Sequence, residues 1–288
     1  MVTYLRRRLW KDNQLWWYDL KRFIRLKEFT PNSSLKFIPS DNYLKKTNGS
    51  LKQKEYSIIV NENGLYESLI GEKNTDNIII IGDSFVENLY SDEASRIINH
   101  ITHDSGKVYN AGYSGCNTLH IINSIMNKII FNDSIKLIIY IKPVNDIDTL
   151  EKKGGFFNID KRYSNIISSS ESNNTEITSE IKNDNSEYVI YKILFDICRN
   201  AGKNLVCFLT HYNKNYNEVY GLSLKKYTSI IEKIELSNKK FYELAKYENI
   251  PCYFIDNICL EEENWYDFIH LNDTGSIHFG EAISKKIE

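Results

Sequence analysis

The amino-acid sequence predicts an α/β protein with a five-stranded parallel sheet that is covered by helices on both faces. Two observations predict this class. Short apolar runs of strand length alternate with segments of helical period, and the strand runs are apolar on both faces. The predicted strands are residues 77–81, 107–109, 136–141, 204–209 and 252–255, and the predicted helices are residues 86–103, 119–130, 188–199, 224–247 and 273–287.

Composition excludes several other classes. The chain has 288 residues, 42% of them hydrophobic, and a formal net charge of −2, which gives no reason to expect a nucleic-acid partner. No stretch approaches the roughly 20 apolar residues of a membrane span. The five cysteines form no CxxC pair, and the first residues lack the apolar core of a secretory signal. We therefore expect a cytoplasmic protein without structural disulfides.

Residues 1–75 predict an N-terminal extension that begins with a basic amphipathic helix. Between Arg6 and Lys27 basic residues dominate, and Leu9, Trp16 and Leu20 recur at helical spacing. Two interpretations of residues 1–30 stay open. The helix packs on its own domain or a second subunit, or it docks peripherally on an anionic membrane surface.

The rest of the extension predicts a hairpin. Residues 56–60 and 65–70 read as strands that flank Asn-Glu-Asn-Gly at 61–64, with Gly64 supplying a positive φ. The catalytic domain is then expected at residues 76–288, interrupted by a polar insertion at 151–187. Disorder and a lid over the sheet edge are both open for that insertion.

Chemistry-bearing residues follow successive strands of the predicted sheet. Ser84 comes after the first strand, Gly112 after the second and Asn145 after the third, while Asp267 and His270 precede the last helix. Ligands of an open parallel sheet bind at the carboxyl ends of its strands, so these residues are expected to meet there. Together they supply a nucleophile, oxyanion donors, a base and an orienting acid, which is the set needed for acyl transfer.

These segments resemble the four motifs of the SGNH/GDSL hydrolase family. The matching segments are Gly82-Asp83-Ser84, Asn110-Ala111-Gly112 with Ser114-Gly115, Asn145-Asp146, and Asp267-Phe268-Ile269-His270. The resemblance runs from about residue 77 onward. It implies a flavodoxin-like three-layer α/β/α fold. Two positions depart from the family: Pro143 stands where a glycine usually precedes the asparagine by two residues, and Phe85 follows the first motif where leucine is common.

The resemblance also implies roles for individual residues. Ser84 would be the nucleophile, His270 the base and Asp267 the acid that orients it. The backbone N–H groups of Ser84 and Gly112 and the side-chain amide of Asn145 would form the oxyanion hole. Separately, Asp83 and His211 are candidate substrate contacts, and no metal site is expected.

The function predicted from these roles is a serine esterase that removes an O-acyl group, O-acetyl first among the candidates, from a small-molecule or oligosaccharide ester. Two alternatives stay open: an O-acetyltransferase that modifies a surface polysaccharide or its precursor with the same triad, and an inactive binding module. The esterase needs no cofactor, whereas a cytoplasmic transferase would need a donor such as acetyl-CoA.

Overall fold

The computed structural model describes residues 22–24, 26–72, 76–102, 106–152, 154–157, 166–168 and 186–288. The strands of this part are β1 (Arg22–Ile24), β2 (Ser34–Phe37), β3 (Tyr56–Ile59), β4 (Tyr66–Glu67), β5 (Asn77–Ile81), β6 (Val108–Asn110), β7 (Ile135–Ile141), β8 (Ile166–Ser168), β9 (Asn204–Phe208) and β10 (Cys252–Tyr253). Its α-helices are α1 (Asp41–Leu44), α2 (Ser84–Glu87), α3 (Thr118–Ser124), α4 (Asn145–Leu150), α5 (Ser186–Asn200), α6 (Leu224–Tyr247), α7 (Asp256–Leu260) and α8 (Asp273–Ile287).

The central sheet has six strands in the order β10-β9-β7-β5-β6-β4. The first five of these run parallel, and they are the five strands that the sequence predicted. β4 joins the edge of β6 in the antiparallel sense, with Tyr66 opposite Asn110. Strand order reverses beside β5, which has β6 on one side and β7 on the other, so a site is expected at the carboxyl end of β5.

Both faces of the sheet are buried, as the continuous apolar runs predicted. Along β5, Ile79 and Ile81 pack with the core under α3, α5 and α6, whereas Ile78 and Ile80 pack on the opposite face with Phe279 of α8. Alternate residues of a strand point to opposite faces, so a strand buried on both sides carries apolar residues at successive positions, as the four isoleucines of β5 do. The result is the predicted three-layer α/β/α arrangement.

The predicted hairpin is wrong, although its turn forms. Gly64 has φ +70, and the Asn61 side chain accepts the backbone N–H groups of Asn63 and Leu65 at 2.9 and 3.2 Å. The turn nevertheless sends the two strands to different partners. β3 pairs with β2 in a separate antiparallel sheet, and β4 pairs with β6. The residues of the turn thus predict where the chain reverses, but they do not determine which strands pair.

Two helix predictions also need correction. Residues 86–103 do not form one helix: α2 ends at Glu87 because Asn88 adopts a left-handed conformation (φ 50), and short 3₁₀ turns follow. Residues 22–24, at the end of the predicted basic helix, form β1, which pairs with β8 of the insertion. Residues 1–21 lie outside the described part. Among the described helices, none is both long and apolar enough to cross a membrane.

Part of the segment before β5 packs into the core that is built on the central sheet. Ile58 of β3 is fully buried in the same apolar cluster as Ile80 and Phe279, whereas its neighbour Ile59 points to solvent with 72% of its surface exposed. The segment therefore contributes to the stability of this core rather than being attached by its chain alone.

This packing predicts different effects for two adjacent substitutions. Ile58→Ala is expected to lower the free energy of unfolding by about 2–5 kcal/mol, because it leaves a cavity in a filled core. Ile59→Ala, the matched control on the solvent face, should change it by less than about 0.5 kcal/mol. Urea unfolding of both variants measures this, and equal effects would show that β3 is not part of the core.

Candidate active site

Three chain segments bring the predicted catalytic residues to one edge of the sheet. Ser84 is the first residue of α2, directly after β5, and Asn145 is the first residue of α4, after β7. Asp267 and His270 lie in a loop before α8. An antiparallel β-bridge between Trp265 and Leu271 joins the two ends of this loop. Because these segments end at the same edge, the side chains converge although they are far apart in sequence.

Ser84, His270 and Asp267 form a continuous chain of hydrogen bonds. His270 Nδ1 lies 2.8 Å from Asp267 Oδ2, and His270 Nε2 lies 2.9 Å from Ser84 Oγ. With the Nδ1 proton donated to the carboxylate, Nε2 accepts the serine proton. This is the geometry of a serine-hydrolase catalytic triad.

The Asp267 carboxylate is held from several sides. Its Oδ1 accepts the backbone N–H groups of Ile269 and His270, each at 2.8 Å. Its Oδ2 accepts the hydroxyl of Tyr43 at 3.1 Å, in addition to the imidazole. Sequence reasoning missed Tyr43, because it lies 224 residues from Asp267 in the extension and no local pattern marks it.

Charge and burial oppose each other at the His270–Asp267 pair. Burial alone would lower the pKa of His270, but Asp267 and the more distant Asp83 and Glu87 outweigh burial and raise that pKa above its ordinary value. Burial likewise acts to raise the pKa of Asp267, but His270 and the two backbone donors outweigh it and lower that pKa. The pair therefore favours a protonated imidazole beside an ionised carboxylate.

Asp83 links the nucleophile's segment to that of Asn145. It is buried, caps α2 by accepting the Phe85 N–H at 3.1 Å, and accepts both Val144 N and Asn145 Nδ2 at 2.9 Å. Asn145 still lines the cavity beside Ser84, so Pro143 has not turned it away. Asp83 itself does not line that cavity, so its expected role as a substrate contact is corrected to a structural one.

The predicted oxyanion glycine also needs correction. The Gly112 N–H donates to Asn110 Oδ1 at 2.7 Å, and a Cβ on Gly112 would lie 2.4 Å from Glu87 N, so this glycine is needed for close packing against α2. Gly115, with φ +72, lines the cavity instead, and its N–H has no acceptor among the described residues. Sequence spacing alone could not choose between two glycines of one loop.

His211 lies beneath the site rather than in it. It is 2% exposed, stacks on Phe254 with ring centroids 4.9 Å apart, and accepts the Ile255 N–H through Nε2 at 3.0 Å. Burial lowers the pKa of His211 to about 3, so it is neutral. The interpretation of His211 as a substrate contact is therefore wrong, because it does not line the active-site cavity.

A cavity of about 530 Å³ opens above Ser84 and His270. Its lining combines aromatic and apolar side chains with acidic groups and one lysine. Its other lining residues are Tyr43, Glu87, Leu89, Tyr90, Ser114, Gly115, Val144, Asn145, Ile147, Asp148, Glu151, Ile230, Lys233, Tyr266, Phe268 and Ile269. A space of this size takes a small ligand in contact with the triad.

No protein-family model matches the sequence, and no curated protein matches it either. Solved structures similar to this chain include a GDSL-like lipase from Bacteroides thetaiotaomicron, a member of the lipolytic protein G-D-S-L family from Veillonella parvula and a carbohydrate acetylesterase from Sinorhizobium meliloti. Their identities are 12%, 13% and 11%, and their TM-scores 0.44, 0.47 and 0.46. The likeness covers 74% of this chain each time, and 86%, 97% and 98% of the three other chains.

The fold and the site define an α/β/α protein that carries a Ser-His-Asp hydrogen-bond chain in the arrangement of a catalytic triad. This conclusion depends on the observed contacts between Ser84, His270 and Asp267 at the carboxyl edge of the parallel sheet. The likeness to solved structures concerns the fold.

The electrostatics of the pair predict the titration of His270. Its NMR midpoint is expected above 6.5, because the surrounding carboxylates raise its pKa. Asp267→Asn should lower the midpoint, because Asp267 is the carboxylate that raises the pKa of His270 most. Asp148→Asn, which removes a carboxylate of the same cavity without a hydrogen bond to His270, is the matched control and should leave it in place. A wild-type midpoint below 6.5 would contradict the assignment.

Proposed function

We propose that this protein is an SGNH-type serine esterase that removes an O-acyl group, O-acetyl first among the candidates, from a carbohydrate. The observation that supports the esterase part is the continuous chain of hydrogen bonds from Ser84 Oγ through His270 to Asp267. Its Ser84 end lies at an open cavity. Within this chain of hydrogen bonds, Ser84 lines the cavity and carries the hydroxyl that would form the covalent acyl intermediate.

The reaction follows from the positions of the protons. Ser84 Oγ attacks the ester carbonyl while His270 Nε2 takes its proton, and Asp267 stabilises the imidazolium that forms. The imidazolium then protonates the leaving alcohol, and the acyl group stays on Ser84 as an ester. Water, deprotonated by His270, releases the acid and restores the serine.

The negative charge of the tetrahedral intermediate needs donors on the opposite side of the carbonyl. We assign them to the backbone N–H groups of Ser84 and Gly115 and to the second Nδ2 hydrogen of Asn145. The first Nδ2 hydrogen is bonded to Asp83, which fixes the orientation of the amide. Ser84 is at the start of a helix, where backbone N–H groups lack helical acceptors.

The carbohydrate part of the proposal is supported by the lining of the cavity. An aromatic ring and charged side chains line it together, among them Phe268, Glu151 and Lys233. A sugar presents a matching combination of apolar C–H faces and polar edges. An O-acetyltransferase would use the same residues and differ in letting a sugar hydroxyl, instead of water, reach the acyl-enzyme. Acetyl-CoA would then be the donor.

Ser84→Ala tests the nucleophile. The purified protein is expected to hydrolyse p-nitrophenyl acetate, and the variant should lose at least about 1,000-fold in kcat, because no acyl-enzyme can form. Release of p-nitrophenolate measures both. A fluorophosphonate should label the wild type and not the variant, since Oγ displaces fluoride from phosphorus.

The outcomes separate the three functions. Steady release that requires Ser84 supports the esterase. A single burst that resumes on addition of a sugar acceptor supports the transferase. No release and no labelling would remove the enzyme proposal and leave the binding module.

Asn145→Ala tests the oxyanion assignment. It is expected to lower kcat by about 100- to 1,000-fold, because one donor to the oxyanion is lost. Asp148→Ala, one turn further along α4 and lining the same cavity, is the matched control and should change kcat far less. Equal losses in both variants would show that α4 was disturbed and that Asn145 has no special part.

A further inference from the structure

Tyr43, a residue of the N-terminal extension, contacts the catalytic triad. The Tyr43 hydroxyl lies 3.1 Å from Asp267 Oδ2, 3.5 Å from His270 Nδ1 and 3.4 Å from the Tyr266 hydroxyl. Tyr43 belongs to α1, outside the sheet and outside all four sequence motifs. The acid of the triad is therefore contacted by a residue that the mechanism above does not use.

The position of Tyr43 is fixed by the chain around it. Ser40 caps α1 by accepting the Tyr43 N–H at 3.3 Å. Five residues later, Asn48 anchors the segment: its N–H donates to the Tyr266 carbonyl at 2.9 Å, and its amide donates to the Trp265 carbonyl at 2.7 Å. The extension is thus bonded to the two residues that immediately precede Asp267.

The surrounding rings hold the Tyr43 side chain in place. It contacts Tyr90, with ring centroids 5.5 Å apart, and Tyr266, with centroids 6.3 Å apart. Burial and the nearby Asp267 charge raise the pKa of the Tyr43 hydroxyl far above its ordinary value. The hydroxyl therefore keeps its proton and can donate it in the hydrogen bond to the ionised carboxylate.

The two oxygens of Asp267 differ in how they are held. Two backbone N–H groups fix Oδ1, whereas Tyr43 is the one described donor to Oδ2 besides the imidazole itself. Without the tyrosine hydroxyl, Oδ2 would keep only His270. The rotation of the carboxylate, and with it the direction of the Nδ1 hydrogen bond, would be less defined.

We propose that Tyr43 is a positioning residue for catalysis, which orients Asp267 and moderates the negative charge that His270 experiences. The inference rests on the proposed function, since it concerns the same triad. It makes the extension an integral part of the active site. The hydroxyl takes part in no bond making or breaking, and acts only through Asp267.

The proposal has a defined consequence for pH dependence. A donor to Oδ2 draws charge away from His270, so its removal lets Asp267 stabilise the imidazolium more strongly and raises the pKa of His270 further. Less acid then suffices to protonate the base, so the acid limb of kcat/KM moves to higher pH. Other titratable groups face the pair from the remaining elements and are unchanged in the test: Asp83, Glu87, Tyr220 and Tyr266.

The experiment compares Tyr43→Phe with Tyr90→Phe. Both remove one hydroxyl from the same cavity, but Tyr90 makes no hydrogen bond to the triad in the described structure. With p-nitrophenyl acetate between pH 5 and 9, Tyr43→Phe should lower kcat about tenfold, as expected for a lost bond to a charged group. Its KM should stay within about twofold, and its midpoint should rise by a few tenths of a pH unit. Tyr90→Phe should keep the wild-type midpoint.

An NMR measurement tests the positioning without any activity. The Nδ1 proton of His270 should give a separate low-field resonance, which should shift in Tyr43→Phe and stay in place in Tyr90→Phe. Thermal unfolding of both variants controls for stability.

Two results would overturn the proposal. One is a Tyr43→Phe variant with wild-type kcat, midpoint and Nδ1 resonance. The other is an equal loss of kcat and stability in both variants with no shift of midpoint or resonance, which would make Tyr43 a packing residue. Failure of the proposed function is distinguishable, because the wild type itself would then neither turn over the ester nor react at Ser84.

Discussion

The buried carboxylate of Asp83 is the contact on which the geometry of the site depends. It joins the end of β5 to the end of β7, since it caps the helix that begins with Ser84 and also binds the backbone and side chain of the Asn145 turn. Burial raises the pKa of Asp83, and three N–H donors partly compensate that cost. The nucleophile and the Asn145 donor are thus held in register through one side chain.

A second constraint is the concentration of acidic groups around one imidazole. Asp83, Glu87 and Asp267 all favour the protonated form of His270, and no lysine or arginine forms an ion pair with any of the three among the described residues. Glu87 is bonded to Ser114, at the loop that carries Gly115. On the proposed mechanism, these carboxylates would stabilise the imidazolium of the transition state, and the neutral N–H donors assigned above would stabilise the oxyanion.

Much of the site could be predicted because its residues directly follow strands. The sequence predicts Ser84 and Asn145 as site residues because buried apolar runs end just before them. It predicts Asp267 and His270 because they lie three residues apart just before a helix. The choice of Gly112 over Gly115 failed, because only packing against α2 and the sign of φ separate the two. Tyr43 was out of reach, as its partner is distant in sequence. The hairpin failed for the same reason, since β4 takes its partner from beyond the next strand.

The separation of the triad along the chain has a consequence for biosynthesis. Ser84 and His270 are 186 residues apart, and the support for Asp267 comes from near the beginning of the chain. On the ribosome the nucleophile emerges long before its base, with a terminal helix still to come. On the proposed mechanism, the serine of a nascent chain would stay unactivated until the segments of Tyr43 and His270 have both reached the sheet edge. Contacts between residues far apart in sequence form slowly, so we expect the triad to assemble late in folding.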